Sequence, residues 1–566
     1  MKLKTALLGA ACALSFAPAA FADRGTDGEV KFTFPQAVSI MNPFLSSGTK
    51  DVYAASLVLE PLAGFDDQGN IIPKLVTEIP TLENGGISAD LTSITWKLLP
   101  DLKWSDGSPV TADDAVFTAA YCMDPAGGCA QLSKFDGVAK VEAVDASTVK
   151  VTFTGPKPNP YTAFVGALSP ILQKAQFAAC QGAAAPTCTD PNNMPIGTGP
   201  FKVTGFTVND TVTLAMNENY RDPAKPAFAS AVIKGGGDAE GSARAVMETG
   251  EFDYAWNTQI PPDSQASMTA AGKGEFVVAF GTLVERIEMN MTDPDPALPE
   301  GERSTAKHPH PILSDIKVRT ALSKAIDRQI LSDVGYGAGG KPTCNVVPAP
   351  DAWASDNTGC IAQDMEGAKK LLDEAGWVPG ADGIREKDGK KLHILYQSTV
   401  NPIRQDFQAL IKDWWTELGV DVELKAIDPS VFFGGDAGSP DTFQKFYADV
   451  EMYANNSDGT DPETYLSQYQ CVNAPSPDNQ WQGENMNRYC DPAYDAKVKV
   501  LTTTVDVAER QKIAKELNDM VTKDTMTVIP LVHRGTLSAH SNTLGGVKIN
   551  AWDSEMWNVA DWFRVK

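Results

Sequence analysis

The sequence predicts a mixed α/β protein built from more than one domain. Segments with the helical spacing of apolar residues alternate along the chain with short segments typical of strands. The chain has 566 residues, of which 43% are hydrophobic. This is more than one core usually organises, so we expect about two to four domains.

Residues 96–118 show the alternation most clearly. Residues 96–98 alternate between apolar and charged, which suits a half-buried strand, and 106–109 (Asp-Gly-Ser-Pro) carry turn chemistry. Thr111 stands three residues before Asp114, an Asp variant of the capping box that starts a helix. The segment therefore predicts a strand, a tight turn and a capped helix.

Similar patterns predict further elements. Strands are expected at 148–153, 212–216, 392–396 and 420–424, and helices at 366–374, 403–418 and 507–521. The segments 178–193, rich in Ala, Pro and Cys, and 292–311, rich in Pro and charged residues, are expected to be insertions, and 292–311 is expected to be a surface loop or an inter-domain crossing.

The first 22 residues predict a secretion signal. Lys2 and Lys4 precede a short apolar run, and residues 20–22 (Ala-Phe-Ala) form a small-x-small cleavage site after Ala22. The run is too short to span a bilayer. Lipidation at Cys12 is the alternative, but Gly9 stands where a larger aliphatic residue is usual. We expect a periplasmic protein without direct membrane insertion.

The formal net charge of −24 argues against nucleic acid as a partner, and we expect none. Eight cysteines follow the signal as close neighbours, and an exported chain meets an oxidising compartment. Metal binding is the alternative, but no pair has the C-x-x-C spacing and few His lie nearby. Four local disulfides and no metal are therefore expected, the pairs being Cys122 and Cys129, Cys180 and Cys188, Cys344 and Cys360, and Cys471 and Cys490.

Four segments resemble motifs of one protein family. Residues 104–117 (Trp-Ser-Asp-Gly-Ser-Pro-Val-Thr-Ala-Asp-Asp-Ala-Val-Phe) are similar to the WSDGxPVTADDVxF segment of the family 5 (peptide/nickel type) solute-binding proteins of ABC importers. Residues 41–75, 195–201 (Pro-Ile-Gly-Thr-Gly-Pro-Phe) and 311–327 resemble other motifs of the family in the same order. The two glycines in 195–201 are expected to give the chain flexibility where it crosses between lobes.

This resemblance implies a three-lobed periplasmic-binding-protein clamp of the large peptide-binding type II, which closes around its ligand by hinge motion. The expected division is 23–64 with 196–290 and 531–566 for lobe I, 65–195 for lobe II and 291–530 for lobe III. It also implies a monomeric, non-catalytic receptor without cofactor, which captures a peptide or peptide-like solute and delivers it to a membrane ABC permease. An opine, an oligosaccharide, nickel or haem are the alternative ligands on the same scaffold.

The resemblance also points to a ligand residue, Asp458. Peptide-binding members carry an acidic residue four before a Pro, here Pro462, and its carboxylate receives the α-ammonium of the peptide. An ordinary Asp-Gly turn is the alternative. Tyr453 is the nearest aromatic residue, and Asn455 and Asn456 stand where many peptide binders have a Trp, which would suit a more polar ligand.

The opening strand is a second candidate. Family members pair main-chain groups with the ligand there, which would place Phe32 and Phe34 at the site. Packing of both side chains in the core is equally compatible with their spacing.

An enzyme receives little support. Ser314 and Lys317 match the S-x-x-K motif of serine acyl hydrolases, but no K-T-G accompanies them and the helix-start pattern already explains the segment. His308 and His310 lie in a Pro-rich loop, where solvated side chains are expected rather than metal ligands.

Overall fold

The computed structural model describes residues 23–299, 301–455 and 459–565. The strands are β1 (Glu29–Phe34), β2 (Ala63–Phe65), β3 (Ile71–Pro73), β4 (Ser93–Lys97), β5 (Val138–Asp145), β6 (Thr148–Phe153), β7 (Phe201–Thr207), β8 (Thr211–Met216), β9 (Ser230–Gly235), β10 (Tyr254–Ala255), β11 (Gly274–Ala279), β12 (Val284–Met289), β13 (Gly340–Pro342), β14 (Val378–Pro379), β15 (Arg385–Lys387), β16 (Lys390–Lys391), β17 (His393–Thr399), β18 (Asp421–Ile427), β19 (Val450–Asn455), β20 (Val528–Arg534), β21 (Thr536–Ser541), β22 (Leu544–Gly545) and β23 (Phe563–Arg564). The α-helices are α1 (Thr49–Ala55), α2 (Ala112–Met123), α3 (Lys174–Phe177), α4 (Thr189–Asn193), α5 (Ala239–Arg244), α6 (Pro262–Thr269), α7 (Ile316–Lys324), α8 (Arg328–Gly335), α9 (Met365–Glu374), α10 (Pro402–Glu417), α11 (Pro429–Phe432), α12 (Glu463–Ser467), α13 (Pro492–Leu501) and α14 (Val507–Asp519).

One sheet has seven strands in the order β11-β21-β10-β1-β9-β8-β7. Strand β1 lies inside it and pairs in parallel with β9 and β10. Phe32 and Phe34, on one face of β1, are completely buried. The ring of Phe32 lies 5.7 Å from that of Trp562, and the ring of Phe34 lies 4.9 Å from that of Trp256. This face of β1 therefore packs in the core.

A second sheet has six strands in the order β13-β20-β12-β19-β17-β18. Its strand β12 is buried along its whole length although three of its residues, Glu285, Arg286 and Glu288, are charged. Ion pairs compensate these charges, because Glu285 contacts two arginines and Arg286 lies 2.6 Å from Glu288. A buried strand of this kind depends on contacts with distant parts of the chain.

The chain passes between the two large sheets at two positions. β12 belongs to the six-stranded sheet, so the first crossing falls between residues 279 and 284. The return crossing falls at Gly535, between β20 and β21. The expected lobe boundaries at 290 and 531 lie within a few residues of these crossings, and the lobe division stays a prediction.

The third unit is a three-stranded sheet, β4-β6-β5, covered by α2. The predicted capping box is present, since Thr111 and Asp114 exchange side-chain and backbone hydrogen bonds at the start of α2. Trp104 is buried, and the backbone N–H of Ser105 donates to the carbonyl of Gly197 at 2.9 Å. Two of the family-like segments therefore contact each other.

The glycines of 195–201 serve close packing rather than flexibility. A Cβ on Gly197 would lie 1.9 Å from the carbonyl oxygen of Val58, and one on Gly199 would lie 2.6 Å from that of Leu57. Neither glycine has a positive φ. Glycine is required here because two backbone segments touch.

The four predicted disulfides are confirmed. The structure joins Cys122 to Cys129, Cys180 to Cys188, Cys344 to Cys360 and Cys471 to Cys490, with Cα–Cα distances of 4.5–5.7 Å. Each closes a loop of fewer than twenty residues, and bridges of this size stabilise a fold by about 2–4 kcal/mol. The pair at 180 and 188 holds the short helices that form in the predicted insertion 178–193.

Candidate functional site

A cavity of about 1330 Å³, its open mouth included, lies where the two large sheets and the three-stranded unit meet. Four parts of the chain supply much of the wall: residues 256–259 after β10, residues 453–455 of β19, Arg534 at the end of β20, and residues 130–134 beyond α2.

Aromatic rings line two parts of the wall. Tyr53 and Trp256 meet edge to face, with ring centroids 5.8 Å apart. Phe443, Phe433 and Tyr453 form a second group, in which neighbouring centroids lie 5.4–6.2 Å apart. Such surfaces contact apolar parts of a ligand and also attract cations.

Glu285 is a carboxylate shared by two arginines of the wall, Arg404 and Arg534. Arg404 Nε donates to Glu285 Oε1 at 2.7 Å, and Tyr336 donates its hydroxyl to Oε2 at 3.1 Å. Arg534 Nε lies 3.4 Å from Oε2 without the alignment of a hydrogen bond. Burial alone would raise the pKa of Glu285, but the two guanidinium charges hold it below its usual range. Taken alone, these two cations and one anion carry one excess positive charge, which Glu555 reduces when it is ionised because its charge interacts with Arg534.

Local structure explains how this cluster forms. The pairing of β12 with β20 changes register between Glu285 and Arg286, and such a bulge redirects side chains. Arg404 is the third residue of α10, where the helix dipole disfavours a cation. Glu285 supplies the counter-charge that this position needs.

Arg286, on the opposite face of β12, fixes the aromatic part of the wall. Its guanidinium lies 5.4 Å from the ring centroid of Tyr453 and 5.7 Å from that of Tyr465. It also donates to the Tyr465 hydroxyl. Tyr453 is therefore held by a buried cation–π contact.

Glu555 is a buried carboxyl of the wall that has no ion-pair partner in the described ranges. Its Oε2 accepts hydrogen bonds from the hydroxyls of Tyr254 at 2.5 Å and Ser538 at 2.6 Å. Burial raises the pKa of Glu555 to about 7, against the lowering effect of its hydrogen bonds with Ser538, Tyr254 and Trp256. Its charge is therefore supported by neutral donors and by the charge of Arg534, which also lowers its pKa without forming an ion-pair contact.

A second carboxyl of the wall, Glu484, lies beside Ser133 and Lys134. Burial raises the pKa of Glu484 to about 7, although the hydrogen bond from Ser133 lowers it. A second pocket of about 630 Å³ adjoins this part and shares Lys134 and Thr464 with the main cavity.

Behind the cavity wall, a buried ionic chain joins the three-stranded unit to α12. Lys157 Nζ lies 2.7 Å from Glu463 Oε1, and Arg510 binds Glu463 and Asp461 at 2.9 and 2.7 Å. Burial raises the pKa of Asp136, whose carbonyl accepts from Lys157, to about 6. Because Thr464 and Tyr465 line the cavity, the ionic chain lies directly behind part of its wall.

The structure brings two of the six predicted ligand residues to the cavity. Tyr453 and Asn455 line it, and Asn455 donates to Gln468 at 3.3 Å. The side chains of Phe32 and Phe34 lie in the core instead, since alternate residues of an inner strand point into the packed interior. Asn456 and Asp458 lie outside the described residues, so both stay predictions.

Sequence reasoning missed Arg404, Arg534, Glu484 and Glu555. Arg404 carried one usable signal, since a cation in the first turn of a helix needs a counter-ion. Arg534 and Glu555 lie in a strand and a C-terminal loop without any motif. Both residues reach the cavity because of where the chain passes from one sheet to the other, and no local sequence pattern predicts those positions.

Ser314 and Lys317 have separate partners. The hydroxyl of Ser314 donates to the carbonyl of His310, and Lys317 pairs with Glu374 at 3.4 Å. His310 binds Asp449 and His308 binds Glu302, both at 2.9 Å. Across 23–299, 301–455 and 459–565, no group of three or more His, Cys, Asp or Glu side chains is arranged to hold a metal ion.

Comparison with known proteins decides the family. The model of the bacterial extracellular solute-binding proteins, family 5, matches residues 70–475. The chain belongs to this family. The match confirms the resemblance of the four sequence segments to family 5. It also confirms the type II clamp fold and the role of a solute-binding component of an ABC transporter.

Individual relatives are distant. Protein XP55 of Streptomyces lividans is 27% identical over 68% of this chain, and the match spans 64% of that protein's length. The glutathione-binding protein GsiB of Escherichia coli is 24% identical over 95% of this chain and 94% of its own. The crystal structure of NikZ from Campylobacter jejuni in complex with Ni(L-His) superposes with a TM-score of 0.78 at 22% identity, covering 95% of this chain and 99% of NikZ.

Proposed function

We propose that the protein is a non-catalytic periplasmic receptor that captures a peptide or peptide-like solute in this cavity and delivers it to an ABC permease. The observation that carries the proposal is the cluster in which two buried arginines share Glu285. Its excess positive charge suits a ligand carboxylate, and an aligned guanidinium–carboxylate contact is strong in a desolvated cavity. The guanidinium of Arg534 has donors to offer, because its only hydrogen bond within the described residues is a 3.4 Å contact with the carbonyl of Gly535.

The rest of the wall suits a peptide backbone. Side-chain amides of Gln36, Gln131, Asn257 and Gln259 line the cavity. Gln259 Oε1 is buried without a hydrogen-bond partner, which is costly unless a ligand N–H occupies it. Contacts of this kind recognise peptide groups and are insensitive to side-chain identity.

Asp458 is our proposed contact for the α-ammonium of the peptide. Asn455 and Thr464, which flank it along the chain, both line the cavity. Because a carboxylate facing an ammonium away from water is a charge-assisted contact, Asp458→Asn should weaken peptide binding roughly a hundredfold. An N-acetylated peptide should bind both proteins equally, which makes it the control.

Export supports this role. The leader 1–22, with cleavage after Ala22, would deliver the chain to the periplasm, where its disulfides form. Among the residues that the structure describes, no helix is long and apolar enough to cross a membrane. We propose a monomer that meets the permease after closing on its solute.

Isothermal titration of the mature protein tests the proposal. The panel consists of free, N-acetylated and C-amidated tripeptides, glutathione, an opine, an oligosaccharide and Ni(L-His). We expect tripeptides with free termini to bind. Acetylation of the amino terminus or amidation of the carboxyl terminus should each weaken binding strongly. Binding of the opine, the sugar or the nickel complex alone would overturn the peptide assignment. Hydrolysis of a peptide or ester that Ser314→Ala abolishes would overturn the non-catalytic one.

A further inference from the structure

Glu555 has a structural setting that the binding of an ordinary peptide does not use. The carboxyl lines the cavity, is 1% exposed and takes its hydrogen bonds from neutral donors. The charge of Arg534 acts on it without an ion-pair contact. A buried carboxyl without an ion-pair contact is costly, and a Gln in its place would fill the same volume. Its presence is explained if a positive charge arrives with the ligand.

The surroundings of Glu555 are those of a cation site. Trp256, which hydrogen-bonds with Glu555, and Tyr53 present aromatic rings to the same cavity. Aromatic faces beside a carboxylate bind ammonium and guanidinium groups in desolvated sites. The hydroxyls of Tyr254 and Ser538 hold the carboxyl in place from two strands of the seven-stranded sheet.

We propose that Glu555 is the counter-ion for a cationic side chain of the solute, so that the protein selects basic peptides. This inference rests on the proposed function for the peptide character of the solute, and it adds the class of side chain. Asp458 would receive the α-ammonium, Arg404 and Arg534 the carboxylate, and Glu555 the side-chain charge.

Paired tripeptides test the inference by isothermal titration at pH 7.5. Lysine is placed at the first, second or third position of an alanine tripeptide, and norleucine replaces it in the matched peptides. In the wild type we expect lysine at one position to bind at least about tenfold tighter than norleucine. In Glu555→Gln this preference should disappear while the norleucine peptides bind as before. Glu251→Gln, an exposed residue near the same sheet, is the matched control and should keep the preference.

The outcomes separate the two proposals. Equal binding of lysine and norleucine peptides, or a preference unchanged by Glu555→Gln, overturns the role of Glu555 and leaves peptide binding intact. Cadaverine is the non-peptide probe. If no tripeptide binds but cadaverine binds the wild type and not Glu555→Gln, the peptide assignment fails and the cation site stands. If none of the probes binds, both proposals are wrong.

Discussion

Two buried carboxyls lie near one cavity and are compensated in different ways. Glu285, on the six-stranded sheet, has two arginines, and their charges lower its pKa. Glu555, in the C-terminal loop beside the seven-stranded sheet, accepts hydrogen bonds from hydroxyl donors, and burial raises its pKa to about 7. Among the residues that the structure describes, Glu285 has two ion-pair partners and Glu555 has none.

The difference shows where the protein is complete without ligand and where it is not. The charge of Glu285 is satisfied by the fold, which leaves a guanidinium available to a carboxylate. Glu555 has no ion-pair contact within the described residues, and in our proposal a cation of the ligand supplies one. A buried charge that the fold leaves unbalanced is a stronger sign of a ligand than one that it neutralises.

The largest effect is expected at Glu285. Glu285→Gln leaves two buried guanidinium groups without their anion, and breaking a buried ion pair in this way costs about 3–5 kcal/mol of unfolding free energy. Urea unfolding measures the change. Glu423→Gln, at an exposed position of the same sheet, should cost less than about 0.5 kcal/mol. Similar losses of unfolding free energy in both variants would show that the ion pairs of Glu285 do not stabilise the fold.

Glu555→Gln should have the opposite effect on stability, and the effect should grow as the pH rises from about 4.5 to 7. The folded pKa of about 7 lies above the unfolded value of 4.5, so wild-type stability falls as pH rises between them. Gln imitates the protonated form, and the ligand-free variant should gain up to about 3 kcal/mol over wild type at pH 8 and little at pH 5.

The other ionisable groups around Glu555 are the phenols of Tyr254 and Tyr53 and the guanidinium of Arg534. Groups of these kinds do not ordinarily titrate between pH 5 and 8. The difference in melting temperature between Glu555→Gln and wild type across this range therefore reports Glu555, because Glu484 and Asp136 titrate in both proteins. A difference between variant and wild type that is independent of pH would contradict the account.

A smaller effect is expected where the three-stranded unit meets α12. Lys157→Met removes the buried contact with Glu463, but Glu463 still pairs with Arg510. We therefore expect the closed form and the binding of ligand each to become less favourable by about 1.5–3 kcal/mol. Small-angle scattering with saturating ligand should show a more open form. Lys140→Met removes an exposed pair with Glu142 and should change neither. Unchanged affinity in Lys157→Met would mean that the ionic chain does not stabilise the closed form.

Much of the fold follows from local signals in the sequence. The strand at 148–153, the capping box at Thr111 and the helix beginning near 403 depend on residues close in sequence, as do the disulfides. The resemblance to the family predicts Tyr453 and Asn455 at the site, because both stand just before the motif residue Asp458. Glu285 could not be identified in this way, because its partners Arg404 and Arg534 lie more than a hundred residues away. The burial of Phe34 and the exposure of Glu555 to the cavity likewise depend on which sheet each segment joins.

A double-mutant cycle between Arg534 and the ligand carboxylate tests the central claim most directly. Isothermal titration would compare wild type and Arg534→Gln, each with a free tripeptide and its C-terminal amide. We predict that amidation weakens binding to the wild type roughly a hundredfold and has little further effect on Arg534→Gln, since the partner is already lost. An equal amidation penalty in both proteins would contradict the account, because the excess positive charge of the Glu285 cluster would then not bind the solute.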